Sequence, residues 1–126
     1  MNREKVIFAF FIVLALTLNF GFFVGDFDNP DHHNVFELFA ALVVSLICTV
    51  LKLGDRTHLG ALMLATSLVV DLQLVLAAAL WGYGEHVLGG VSPMLMASII
   101  SLSGGALLAN IVSVVLLMVE TVLIRR

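Results

Sequence analysis

The chain has 126 residues, 61% of them hydrophobic and 12% charged, with a formal net charge of −3 and a mean hydropathy of +1.14. That length admits one domain, spanning 1–126, and that composition excludes a water-soluble helical fold, which needs a polar face on every helix. It also excludes nucleic-acid binding, because the six basic residues fall in three separate pairs instead of one basic face.

In chain order, the first apolar segment covers about 6–24. Arg3 and Lys5 precede it, as they would a secretory signal. Its run exceeds a signal core, however, and bulky Phe22, Phe23 and Val24 offer no small-residue cleavage site, so a retained membrane helix is expected. The second segment covers about 35–53 and contains the lone cysteine, Cys48, which reads as a small packing residue that can make no intrachain disulfide. The third covers about 59–81, and the fourth about 94–124. Each reaches the roughly 20 residues that cross about 30 Å of hydrocarbon.

The connections are short. Residues 25–34 include the turn dipeptide Asn29-Pro30; in 54–58, Gly54 can end one helix and Thr57 can cap the next. Ser92-Pro93 reads as an N-cap followed by proline at the first helical position. A helix from there to residue 124 is about 48 Å long, more than an untilted crossing needs. Gly104-Gly105 offers it a place to kink or break, and one long, bent helix that projects outward at its start is expected. The expected fold is an all-α integral membrane four-helix bundle with antiparallel neighbours.

Charge gives the orientation. Arg3 and Lys5, Lys52 and Arg56, and Arg125 and Arg126 all fall on one side of the four crossings. By the positive-inside rule that side is cytoplasmic, so both termini are expected inside, and the compact chain suits a bacterial inner membrane. The opposite side carries Asp26, Asp28, Asp31, Glu37 and Glu85 with no basic residue, a face that concentrates cations.

Asp71 is the most informative residue, because a carboxyl near the middle of a membrane helix costs about 2.5–3.5 kcal/mol on insertion scales. Ser67 lies one turn before it. Functionally it reads as an ion or proton site; structurally it reads as a hydrogen-bonding link to a neighbouring helix. Asn110 is its expected partner by depth. Ser103, Ala106, Asn110, Ser113, Leu117 and Glu120 recur at spacings of 3 and 4, which makes one face of the last helix polar along its length. Such a face lines an aqueous path or packs in a polar seam. Two small-residue ridges, Thr17, Gly21, Gly25 and Ser101, Gly105, Ala109, Ser113, suit close helix contact. Lys52 is expected to snorkel, and Glu120 to pair with Arg125 or a neighbouring helix.

The first outer loop brings Asp26, Asp28, Asp31, His32 and His33 within eight positions. Carboxylate and imidazole donors in that density suit a divalent cation as cofactor, although the spacing lacks the central glycine and distal glutamate of an EF-hand. The alternative is a solvated acidic turn, with His32, His33 and His86 sensitive to mild acid. Gly82-Tyr83-Gly84-Glu85 resembles the filter triplet of potassium channels. Yet Ala79-Leu80-Trp81 stands where the filter's threonine and small apolar residue would be, and no re-entrant helix precedes it. The residues themselves predict a glycine-rich turn flanked by interfacial aromatics.

No second midplane acid, histidine-rich metal set or Ser–His pair accompanies Asp71, so no enzyme is expected. The sequence expectation is cation conduction or transport by a homo-oligomer in the bilayer, with Asp71, Asn110, Ser67, Ser113 and Glu120 along the path on its symmetry axis. The alternative is a non-transporting subunit that binds a larger membrane partner through its helix faces.

Overall fold

The computed structural model describes residues 3–25 and 33–124, and the backbone alone at Ile124. Among them are four helices and no strand: α1 Arg3–Phe23, α2 Val35–Lys52, α3 His58–His86 and α4 Pro93–Ile124. All four are long and apolar enough to cross a membrane.

Their starts are set locally. Asn34 caps α2 by accepting from Phe36 N at 2.8 Å, and Thr57 Oγ1 caps α3 by accepting from Gly60 N at 2.9 Å. Ser92 Oγ accepts from Leu95 N at 3.1 Å just before Pro93 opens α4. Each supplies an acceptor to a first-turn N–H that has no helical partner. Gly54 does not act as a left-handed cap. The positive-φ glycines among the described residues are Gly25, Gly89 and Gly90, and α2 ends at Leu53, whose N–H bonds Val50 O.

One expectation needs correction. The segment 82–86 is not a turn, nor a filter-like strand, because α3 runs on through Glu85 to His86. Gly84 is buried there and sits so close to Leu95 and Val91 that an added Cβ would meet Leu95 at 2.6 Å. The glycine therefore lets the start of α4 close on the end of α3, and the turn comes later, at Gly89-Gly90. At Gly104-Gly105 α4 runs on as the single long helix expected from the sequence, and the two glycines make room for the Phe23 ring of α1 and the Gln73 amide of α3.

The helices form a square. α1 packs on α2 and α4, and α3 packs on α2 and α4. Two apolar clusters fill its ends. Toward the α3–α4 turn, Phe22, Leu38, Leu74, Ala77, Met96 and Ile99 pack together. Toward the termini, Phe8, Ile12, Cys48 and Met63 do so. The outside is apolar as well: Phe10, Val43, Leu72, Leu108, Val115 and Met118 are all exposed, a surface suited to lipid and not to water.

Candidate functional site

Polar side chains also run along the bundle interior, from the α3–α4 turn to the terminal end. Asn19, Ser45, Thr49, Ser67, Asp71, Ser103, Asn110, Ser113 and Glu120 are all buried. The polar face of α4 thus turns inward within a single chain. This corrects the expectation that it lines an axis shared between copies. The small-residue ridges are likewise filled from within: Glu37 of α2 covers Gly21, Gln73 covers Gly105, and Ser113 bonds Thr66 of α3.

Asp71 is 8% exposed, and α2 supplies its partners. Ser45 Oγ donates to Oδ1 at 2.6 Å, and Thr49 Oγ1 lies 2.5 Å from Oδ2. Ser45 and Thr49 are one helical turn apart, so both hydroxyls reach one carboxyl. Among the described residues no basic group pairs with it; the ion pairs are Lys5–Glu120 and Lys52–Asp55. The expected bond from Asp71 to Asn110 is not made. Neither amide atom of Asn110 has a hydrogen-bond partner in the protein, and neither has Ser67 Oγ, although these residues are only 1% exposed. Buried polar groups without partners are rare, since each costs about 1–3 kcal/mol.

Toward the α3–α4 turn, Asn19 ties α1 to α4. Its amide donates to Ser103 O at 3.2 Å and accepts from Ser103 Oγ at 2.6 Å. At the terminal end, Glu120 pairs with Lys5 of α1 at 2.6 Å, which is the neighbouring-helix partner expected for it. Lys52 does not simply snorkel. It is 8% exposed, with its ammonium 4.3 Å from the centre of the Phe8 ring and 3.3 Å from Asp55. A cleft of about 580 Å³ opens at this end, lined by Glu4, Lys5, Phe8, Lys52 and Asp55 among others. Its floor reaches the apolar cluster at Phe8. The Asp55 carboxyl is held below its ordinary value, first by the Thr57 hydroxyl and backbone N–H and also by Lys52.

Of the metal-loop residues, Asp26, Asp28, Asp31 and His32 lie outside the described residues. His33 is buried, and its Nδ1 lies 2.5 Å from Phe22 O. A carbonyl only accepts, so Nδ1 carries the hydrogen and serves one of the last, unpaired carbonyls of α1. The ring also packs on Phe22, which in turn meets Trp81. His33 is thus a closure of the α1–α2 connection, and no group of three potential metal ligands occurs among the described residues.

Sequence reasoning singled out Asp71, Asn110 and Glu120 but missed Ser45, Thr49 and Thr66. Hydroxyls are common inside membrane helices, and only the i, i+4 spacing of Ser45 and Thr49 could have pointed to a shared partner.

Fold and interior define a polytopic α-helical membrane protein with a polar core. The chain belongs to the family of unknown function DUF6394, whose model matches residues 32–121, from just before α2 into the last turn of α4. No curated protein and no solved structure matches it.

Proposed function

We propose that the protein moves small cations across the inner membrane of a bacterium, through the interior of a single four-helix bundle with both termini in the cytoplasm. The carrying observation is Asp71, a carboxyl buried at mid-bundle with no basic partner among the described residues. A carboxyl in hydrocarbon is costly, and intramembrane carboxyls mark ion pathways and proton relays. The confinement of all basic residues to one side supports the orientation. The cleft beside Lys52 supplies an aqueous approach from that side. The apolar clusters above and below Asp71 favour an occluded site that opens in turn to each side over a permanently open pore. Assembly with further copies would use the apolar outer surface, since the polar stripe of α4 is spent inside.

Flux into liposomes tests this reading. Purified protein should pass a cation down an imposed gradient, and Asp71→Asn should change rate or selectivity while the protein still assembles. Liposomes that stay tight to sodium, potassium and protons would remove the basis for it.

One observation favours a second reading, that of a non-transporting subunit. Both oxygens of Asp71 are engaged by α2, as a link between helices would be. On that reading Asp71→Asn weakens co-purification of a larger membrane partner, and liposomes remain tight with or without the substitution.

A further inference from the structure

We propose that the cation taken by the interior site is the proton, bound by the Asp71 carboxyl and delivered through water held against Asn110 and Ser67. This rests on the translocation reading above and names its substrate.

The first argument counts hydrogens. Thr49 Oγ1 has one hydrogen and two oxygens within reach, Asp71 Oδ2 at 2.5 Å and the Ser45 carbonyl at 3.1 Å. When Asp71 is a carboxylate, Thr49 and Ser45 both donate to it. When Oδ2 carries a proton, that O–H donates to Thr49 Oγ1, and Thr49 turns its hydrogen to the Ser45 carbonyl. Ser45 Oγ still donates to Oδ1 at 2.6 Å. Both states leave every donor matched, and the change between them needs only the rotation of one hydroxyl. A carboxyl serving only as a helix link has no use for a second satisfied state.

The second argument comes from the unpartnered groups. The Thr66–Ser113 hydrogen bond and the seat of Gln73 over Gly105 fix the antiparallel register of α3 and α4. That register sets Asn110 opposite 68–69, between Ser67 and Asp71. The orphaned atoms there are Asn110 Nδ2, a donor, Asn110 Oδ1, an acceptor, and Ser67 Oγ, which can be either. A bare metal cation satisfies acceptors and repels the amide N–H. Water satisfies both, and buried water settles against groups of this kind.

The transfer balances without a further reactant. A protonated water gives up one O–H bond, Asp71 Oδ2 gains one, and neutral water remains; release runs the same step backward. Among the described residues of the surrounding helices no other titratable side chain bonds Asp71: Glu37 of α2 lies over Gly21, and Arg3, Glu4 and Tyr83 are exposed. Lys5 of α1 pairs with Glu120 of α4, and Lys52 of α2 pairs with Asp55. Cys48 of α2 lies in the apolar cluster, and on α3 His58, Glu85 and His86 are exposed at its ends.

Two measurements test the proposal. In proteoliposomes under an imposed membrane potential, internal acidification should depend on the protein and stay unchanged when sodium replaces potassium. Thr49→Val should cut the rate by about tenfold or more, since the protonated acid then lacks an acceptor, and Thr49→Ser should restore it. Separately, infrared spectra in detergent should show a carboxylic C=O band that titrates while the helices persist and is missing in Asp71→Asn. Flux of sodium or potassium without protons overturns the proton assignment and leaves cation translocation standing. A titrating Asp71 band in tight liposomes does the reverse. No titrating band, or equal rates in Thr49→Val and wild type, overturns the proposal.

Discussion

Asn110 and Asp71 stand within one turn of each other in height and differ in what they cost the fold. Asn110 is buried with both amide atoms unpartnered by any protein group, so Asn110→Leu, which removes the amide together with the water proposed against it, should change thermal stability by less than about 1 kcal/mol. Asp71→Leu should lower it by about 1–3 kcal/mol, because the Ser45 hydroxyl loses its acceptor, whereas Thr49 retains the Ser45 carbonyl. Unfolding of both variants in mild detergent with added denaturing detergent measures the difference. A loss for Asn110→Leu as large as that for Asp71→Leu would mean that Asn110 bonds another group of the protein and not water. Asp71 and Asn110 were legible in the sequence because a charge or an amide inside an apolar run is conspicuous. Their partners were not. Depth along a helix suggested that the two would pair, but depth carries no information about the rotation of α3 against α2, and that rotation delivers Asp71 to Ser45 and Thr49.

Among the elements, α3 shows most clearly how a start is made and an end misread. Asp55 accepts from Thr57 N and Oγ1 at 2.9 and 2.7 Å, and Thr57 in turn accepts from Gly60 N. These donors hold the Asp55 carboxyl below its ordinary value of 3.8. A depressed carboxyl stabilises the fold above its unfolded-state value and loses that contribution as pH falls through its folded-state value. The α2–α3 hairpin should therefore weaken only in strong acid, and Asp55→Asn should flatten that part of the stability–pH curve by lowering stability at neutral pH toward its strong-acid level. Thr57→Ala should cost about 1 kcal/mol at all pH values, the usual loss for an N-cap. Thermal unfolding at stepped pH compares the two, and an unchanged acid limb in Asp55→Asn would contradict the assignment. Thr57 was legible as a cap from its type and place. The end of α3 was not, because glycines in 82–84 look like turn residues until Leu95 and Val91 are seen against Gly84. Close packing, which no local propensity encodes, made glycine acceptable in that helix.

For the whole molecule, the four apolar crossings were legible from composition and length, and the square of helices follows from short connections. What composition could not give is that the polar face of α4 closes on α1. Lys5 and Glu120 meet there at 2.6 Å, with Lys5 38% and Glu120 7% exposed. Single reversals, Lys5→Glu or Glu120→Lys, should destabilise by about 1–3 kcal/mol, and the double swap should recover most of the loss, as a double-mutant cycle in detergent would record. Additive losses would place the stability of that corner elsewhere.

The same corner bears on how the protein is made. Membrane helices insert first and associate afterwards, and both polar ties of α1 to α4 span most of the chain, from Asn19 to Ser103 and from Lys5 to Glu120. While synthesis is under way, Asn19 has no access to the partner it holds in the finished bundle. A chain halted before α4 therefore displays an amide to lipid that a completed copy conceals.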